Sequence, residues 1–163
     1  MGKAEGEPTT YRLAMPEDAP RLADLRWQYH LEESPVRPGV GETDFIEACG
    51  AFFRRSFASG RWTCWFAEDE GIVVAHAFVN VIDSVPWPHR LRRRFGYLTN
   101  VYTRPAYRGR GIGAELLERV TTWAADENLE LLIVWPSEKS GEFYRRAGFE
   151  LPPDILQLTL RDD

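Results

Sequence analysis

The stretch at residues 104–114 contains the residue types that most directly suggest chemistry. It follows a predicted strand, opens a predicted helix, and combines alternate glycines with nearby arginines: Gly109, Gly111, Gly113, Arg104, Arg108 and Arg110. Glycines let a backbone approach a ligand closely and adopt φ values that other residues resist. Backbone N–H groups at the start of a helix point outward and favour an anion, and the arginines add positive charge at the same place. The sequence therefore predicts a diphosphate-binding loop.

Two other interpretations of this stretch are weaker. A flexible, solvated turn does not explain the helix that follows, whose apolar residues share one face: Ile112, Leu116, Leu117, Val120 and Trp123. The spacing of residues 109–114 also satisfies the dinucleotide-binding fingerprint. That fingerprint needs several further βα units and an acidic residue at the end of the next strand. Only about fifty residues follow here, and the next predicted strand ends at Val134 and Trp135.

Composition narrows the class of protein. The net charge of -5 argues against a broad nucleic-acid surface. No apolar run approaches the ~20 residues needed to cross a bilayer, and the N-terminus lacks the apolar stretch of a signal peptide. The cysteines Cys49 and Cys64 and the three histidines form no metal-ligand spacing. We therefore expect a metal-free, cytoplasmic protein.

Apolar periodicity and turn residues predict an order of strands and helices that follows a tail at residues 1–10. The tail has no apolar period, and we expect it to be disordered. Strands are predicted at 11–15, 62–68, 72–83, 97–103, 131–135 and 155–160. Helices are predicted from Pro16 to the turn at 34–39, from an N-cap at Thr43 to Gly60, at 112–127 and at 140–147. Residues 11–163 should form one domain, a mixed α/β (α+β) fold in which the apolar run at 131–135 is a buried strand.

Three segments together resemble the GNAT acetyltransferases. Residues 108–113, Arg-Gly-Arg-Gly-Ile-Gly, match that family's Arg/Gln-x-x-Gly-x-Gly signature, with Pro105 and Tyr107 where many members have them. Residues 137–149 are similar to a later motif, in which a tyrosine, here Tyr144, precedes Gly-Phe by four positions. Residues 11–18 resemble the family's first strand and helix. The resemblance covers nearly the whole domain and implies a twisted, mostly antiparallel sheet of about six or seven strands with about four helices packed on it.

The resemblance implies that acetyl-CoA is the acetyl donor, held by strand backbone, loop amides and the later motif. The implied cofactor-binding residues are Val101, Tyr102, Thr103, Arg108, Gly109, Arg110, Gly111, Ile112, Gly113, Ser137, Ser140 and Phe143. Ser137 stands where the family often has Asn, and Ser140 where a small residue is usual. A strand amide near Val101 or Tyr102 is implied to stabilise the oxyanion that forms on the thioester.

Tyr144 is implied to be the catalytic acid, because a phenol can donate a proton or a hydrogen bond to the CoA thiolate as it leaves. Without the motif, Tyr144 would be read as one more packing aromatic between Phe143 and Phe149.

The acceptor and the base that deprotonates it are left open. In the family, the acceptor enters beside the first two helices and the loop at 84–94. The candidates there are Trp27, Tyr29, Glu32, Glu33, Asp83, Trp87, Asn100 and Trp135. Some members carry a basic carboxylate on the strand before the glycine loop, but residues 95–103 contain none. The remaining candidates for the base are Glu32, Glu33, Asp83, His89, or a water relayed through Tyr97, Thr99 or Asn100.

These implications define an N-acetyltransferase that acts by direct attack in a ternary complex. The expected partner is a small-molecule or peptide amine, with neither nucleic acid nor membrane, and a homodimer is compatible with the resemblance. Two alternatives are a catalytically silent CoA-binding protein and an enzyme that transfers a longer acyl chain.

Overall fold

The computed structural model of the chain describes residues 8–34, 37 and 39–161. Its strands are β1 (Thr10–Leu13), β2 (Trp62–Asp69), β3 (Ile72–Asp83), β4 (Arg94–Thr103) and β5 (Leu132–Val134). Its α-helices are α1 (Ala19–Glu33), α2 (Glu42–Ala58), α3 (Ile112–Asp126) and α4 (Gly141–Arg146). Short 3-10 turns at Pro16–Asp18 and Pro105–Tyr107 precede α1 and the glycine loop.

The strands form one sheet in the order β1-β2-β3-β4-β5. The first four pair antiparallel and β5 pairs parallel to β4. A tight turn joins β2 to β3, with left-handed φ values of 49° at Glu70 and 77° at Gly71. Left-handed φ at both central residues is the geometry whose twist matches the flanking strands of a hairpin.

Helices cover both faces of this sheet, and each face has its own core. On one face, α1 and α2 bury Leu22, Leu25 and Phe53 against Phe66 and Phe78. On the other face, α3 and α4 pack against the strand side chains that point away from α1 and α2. This second core contains Val74, Val79, Leu98, Leu116, Leu117, Val120 and Tyr144. The two cores fix where the ends of α1, α3 and α4 meet the sheet.

The fold class predicted from the sequence is confirmed, and the number of strands is corrected to five within the described residues. The strand predicted at 155–160 is absent there, and Leu156, Leu158 and Leu160 are 95%, 81% and 84% exposed. Alternating apolar residues show which face a segment could bury, but a strand also needs a neighbour for its backbone hydrogen bonds. In this structure the segment contacts Trp135, the residue after β5, whose Nε1–H donates to Gln157 Oε1 at 3.2 Å.

Several predicted boundaries also change. The predicted buried strand at 131–135 is shorter, and Leu131 and Trp135 flank it as exposed residues. Helix α2 begins at Glu42 after Gly41, so Thr43 is not its N-cap. Thr10 already belongs to β1, opposite Glu68, and residues 1–7 of the predicted tail lie outside the described residues.

Candidate active site

A cleft of about 650 Å³ opens where β4 and β5 separate, and the start of α3 and one side of α4 close it. It exists because β5 pairs with only three residues of β4, Gly96 to Leu98, and β4 then continues without it. The cleft brings together most of the residues predicted to hold the cofactor. These are Val101, Tyr102, Thr103, Arg108, Gly109, Gly111, Ile112, Gly113, Ser137, Ser140 and Phe143, together with Tyr144.

The glycine loop has the conformation that its sequence predicts. Gly109 and Gly111 have φ values of 75° and 80°, a left-handed region that side chains resist. Gly111 is the N-cap of α3, so the first amides of that helix face the cleft end of the loop. At Gly113, an added Cβ would lie 3.4 Å from Thr103 Oγ1 and 3.6 Å from the Phe143 ring, because α3, β4 and α4 converge there.

The arginines around the loop do not all face the cleft. Arg108 lines it, donates from Nε to the Thr103 carbonyl at 2.9 Å, and forms an ion pair with Glu32. Arg104 turns to the other side, where it donates to the Val73 carbonyl at 2.8 Å and pairs with Asp24. Arg110 lies over the ring of Tyr107 and 4.0 Å from Asp69. We expected all three arginines to concentrate charge at one place, but of the three only Arg108 is among the residues that line the cleft.

Glu32 connects α1 to the floor of the cleft. The Tyr102 hydroxyl donates to Glu32 Oε2 at 2.6 Å, and Oε1 pairs with Arg108. Burial, followed by this hydrogen bond, raises the pKa of Tyr102 far above its usual range. The Tyr102 ring stacks on Tyr29 with centroids 4.8 Å apart. Both oxygens of Glu32 are thus engaged, which leaves Glu33 as the carboxylate of this pair that lines the cleft.

Tyr144 lies on α4 with 7% of its surface exposed. Its ring packs edge-on against Phe143 and Phe149, at centroid distances of 5.1 and 5.6 Å. Burial raises the pKa of Tyr144 to about 12. The phenol is therefore protonated at neutral pH, as a proton donor must be.

The predicted acceptor residues divide into two groups. Tyr29, Glu33, Asn100 and Trp135 line the cleft. The predicted acceptor residues Trp27, Glu32, Asp83 and Trp87 lie outside the cleft lining, as does the candidate base His89.

Their placement has local causes. Trp27 is buried on α1 against Phe45, at a centroid distance of 5.4 Å. Asp83 ends β3, where its partner is Arg94 at the far end of β4 from the glycine loop. The loop that carries Trp87 folds on itself, because Arg93 lies 3.6 Å from the centre of the Trp87 ring.

Sequence reasoning missed His76, which is fully buried in β3. Its Nδ1 lies 2.7 Å from the carbonyl oxygen of Asn100, a cleft residue with a left-handed φ of 50°. Burial lowers the pKa of His76 to about 4. The available signal was a polar residue in the middle of the apolar run from Ile72 to Val79, since buried polar groups require a partner.

The cysteines do not contribute a nucleophile to the cleft. Burial raises the pKa of Cys49 to about 11 and that of Cys64 well above its usual range. Neither lines the cleft. Within the described ranges, no cluster of three or more His, Cys, Asp and Glu side chains could hold a metal ion. The helices described there include none that is both long and apolar enough to span a bilayer.

Comparison with known proteins gives consistent matches. The profile of the Acetyltransferase (GNAT) family matches residues 20–149. The chain is 27% identical over 148 residues to the N-alpha-acetyltransferase RimI of Mycobacterium tuberculosis, covering 90% of this chain and 82% of that protein. It is 31% identical over 117 residues to an aminoglycoside N(6')-acetyltransferase type 1 of Stenotrophomonas maltophilia, covering 72% of this chain and 68% of that protein.

Among solved structures, a predicted acetyltransferase from Clostridium acetobutylicum, crystallised with acetyl-CoA, superimposes with a TM-score of 0.77. The two chains are 27% identical, and the match covers 94% of this chain and 97% of the other.

Proposed function

Because the chain belongs to the GNAT acetyltransferase family, whose members use acetyl-CoA as donor, we propose that it transfers an acetyl group directly to a primary amine. One observation carries this proposal: the cleft between β4 and β5 has the glycine loop at one wall and Tyr144 at another. The loop suits the diphosphate of CoA, and the phenol suits the sulfur at the other end of the pantetheine arm.

The proposed reaction has two bond changes and one proton donation to the leaving group. The neutral amine attacks the thioester carbonyl and forms the C–N bond, and the collapse of the tetrahedral intermediate breaks the C–S bond. Tyr144 gives its proton to the departing sulfur, so that CoA leaves as a thiol. An ammonium acceptor first loses one proton to water at the mouth of the cleft and becomes the neutral amine. The attacking nitrogen loses a second proton to water as the amide forms, and the phenol is reprotonated from solvent.

The acceptor is proposed from the residues at the mouth of the cleft and from the named relatives. Glu33 supplies negative charge there, and Tyr29 and Trp135 supply aromatic surface. These groups suit a cationic amine, which both carboxylate and aromatic faces attract. The relatives named above are an N-alpha-acetyltransferase and an aminoglycoside N(6')-acetyltransferase, and both names indicate acetylation of an amine nitrogen.

The test is the variant Tyr144→Phe, which removes only the phenol oxygen. We expect kcat to fall about 100-fold or more, because general acid catalysis contributes that much. The dissociation constant for acetyl-CoA by calorimetry should stay within about twofold, since the ring still packs in place. Release of CoA thiol is measured with acetyl-CoA and a panel of N-terminal peptides and aminoglycosides.

Tyr11→Phe is the matched control, because Tyr11 is a phenol of β1 packed against the α3 core and outside the cleft lining. It should leave kcat unchanged. Equal turnover by wild type and Tyr144→Phe would remove the acid role. Binding of acetyl-CoA without thiol release for any amine would instead favour a catalytically silent CoA-binding protein.

A further inference from the structure

The β4 strand changes its register at the point where it enters the cleft. His76 pairs with Tyr102, but Phe78 pairs with Thr99, so Asn100 and Val101 lie opposite the single residue Ala77. This is a β-bulge, in which two residues of one strand face one residue of its neighbour. The left-handed φ of 50° at Asn100 belongs to this bulge. Such a conformation in a side-chain-bearing residue needs surrounding structure to hold it.

The imidazole of His76 provides that support. Its Nδ1 lies 2.7 Å from the Asn100 carbonyl oxygen, across 24 residues of sequence. The ring is enclosed by other rings, with centroid distances of 5.0 Å to Phe78 and 6.0 Å to Tyr102. Because the carbonyl can only accept a hydrogen bond, the proton resides on Nδ1. Burial lowers the pKa of His76 to about 4, so the ring is neutral and has this one proton to donate.

The second ring nitrogen shows that the residue is not optimised for stability. His76 Nε2 is buried and has no hydrogen-bond partner within the part of the chain that the structure describes. A buried polar atom without a partner costs free energy. Residues that carry such a cost are expected at functional sites.

The hydrogen bond has a direct geometric consequence for the cleft. The carbonyl of Asn100 and the N–H of Val101 belong to one peptide unit, which is planar and trans. They therefore point in opposite directions. When His76 on β3 holds the carbonyl, the Val101 N–H points away from His76, and Val101 itself lines the cleft.

We propose that His76 is a positioning residue for acetyl transfer, which fixes the Asn100–Val101 peptide so that the Val101 N–H donates to the thioester oxygen. His76 acts only through this peptide and does not touch the substrate. A preorganised donor of this kind acts mainly in the transition state, where negative charge develops on that oxygen. The inference rests on the proposed function, since it needs a thioester in the cleft.

Three variants at position 76 separate hydrogen-bond donation from packing. His76→Leu removes the donor. His76→Asn places an amide nitrogen near the position of Nδ1, whereas His76→Gln places it near that of Nε2. Phe53→Leu, a buried change on α2, controls for lost packing in the same core.

The first readout is steady-state kinetics, which separates an effect on kcat from an effect on the KM for acetyl-CoA. We expect His76→Leu and His76→Gln to lower kcat about 10- to 100-fold, with the KM for acetyl-CoA within about twofold, because one oxyanion donor is worth at least that much. His76→Asn should restore kcat to within about fivefold of wild type, and Phe53→Leu should leave it unchanged.

The second readout is the carbonyl stretch of bound acetyl-CoA labelled with carbon-13 at the acetyl carbonyl, measured by infrared difference spectroscopy. A hydrogen bond to this oxygen lowers the frequency. We expect the lowered carbonyl frequency in wild type and His76→Asn, and a higher frequency in His76→Gln. If His76→Leu does not fold, His76→Gln serves as the variant without the donor.

The outcomes that overturn the inference differ from those that overturn the proposed function. The inference fails if His76→Gln keeps the kcat of wild type and its carbonyl frequency. It also fails if His76→Asn and His76→Gln lose the same amount of kcat, because the imidazole would then not position the donor. If wild type neither binds nor consumes acetyl-CoA, the proposed function fails and this inference fails with it.

Discussion

Tyr102 and Tyr144 are both buried phenols beside the cleft, but their hydroxyl groups have different surroundings. The Tyr102 hydroxyl donates to Glu32, and burial together with this hydrogen bond raises the pKa of Tyr102. The hydroxyl therefore stays protonated, and its proton is engaged by Glu32. The Tyr144 hydroxyl has no hydrogen-bond partner among the described residues and is raised in pKa mainly by burial. A proton donor must be free to turn to its acceptor, so these surroundings support the proposed acid role of Tyr144 and a structural role for Tyr102.

His76 also predicts a pH dependence of stability at the scale of one residue. Its pKa is about 4 in the fold, against about 6.5 for an ordinary histidine. Between these values the unfolded chain binds a proton that the folded chain does not, so the free energy of unfolding falls as the pH falls through this window. The neutral imidazole contributes its full stabilisation to the fold above about pH 6.5, and about 2 kcal/mol of this stabilisation is lost at pH 5.

Urea unfolding of wild type and His76→Asn at pH 7.5 and pH 5 measures this contribution. Between pH 7.5 and pH 5, the free energy of unfolding should fall by about 2 kcal/mol more in wild type than in the variant. Asp18, whose pKa is lowered by its hydrogen bonds with Arg12, acts equally in both proteins and cancels. An identical loss in both proteins would contradict the assignment of a neutral, buried imidazole.

At the scale of elements, the two halves of β4 perform different tasks. Residues 96–98 are paired on both sides, with β3 and with β5. Beyond Leu98 the strand keeps only β3 as neighbour, bulges at Asn100, and lines the cleft. The first half therefore sets the distance between β4 and β5, and the second half lines the cleft that opens beside it.

Gly96 is the position where that distance is most sensitive. A Cβ added there would lie 2.5 Å from Leu132 Cδ2 and 2.8 Å from Val79 Cγ1. We expect Gly96→Ala to lower the free energy of unfolding by about 1–3 kcal/mol, as overpacking does. Displacement of β5 should also lower kcat.

Gly39→Ala is the control, because an added Cβ there meets no atom within 4 Å. Its unfolding free energy in urea should stay within about 0.5 kcal/mol of wild type. A Gly96→Ala protein as stable and as active as wild type would show that the crossing of β4 and β5 tolerates a wider separation.

At the scale of the whole molecule, the cleft lies at the border of the two cores. Tyr102 belongs to the core under α1 and α2, whereas Ile112 and Tyr144 belong to the core under α3 and α4. A ligand that contacts these residues together binds the folded chain and not the unfolded one. Binding should therefore stabilise the entire fold.

Acetyl-CoA at 100 times its dissociation constant should add about 2.7 kcal/mol to the stability. For a chain of 163 residues this corresponds to a rise in Tm of about 5–10 °C, measured by calorimetry. NADH is the control, because residues 109–114 also satisfy the dinucleotide spacing. A rise in Tm with NADH and none with acetyl-CoA would reverse the interpretation of the loop.

The amino-acid sequence by itself determined the features that depend on neighbours along the chain. The left-handed glycines at 109 and 111, the start of α3 at Ile112 and the hairpin turn at Glu70 were all readable, because backbone preferences act within a few residues. The motifs at residues 11–18, 108–113 and 137–149 were sufficient to indicate the family.

Only the tertiary structure decided which distant residues share the cleft. His76 meets Asn100 across 24 residues and Tyr102 meets Glu32 across 70. Trp27, Asp83 and Trp87 lie outside the cleft because of the packing of α1 and the folding of the loop at 84–93. Such pairings depend on how whole elements pack in three dimensions, and no local pattern encodes them.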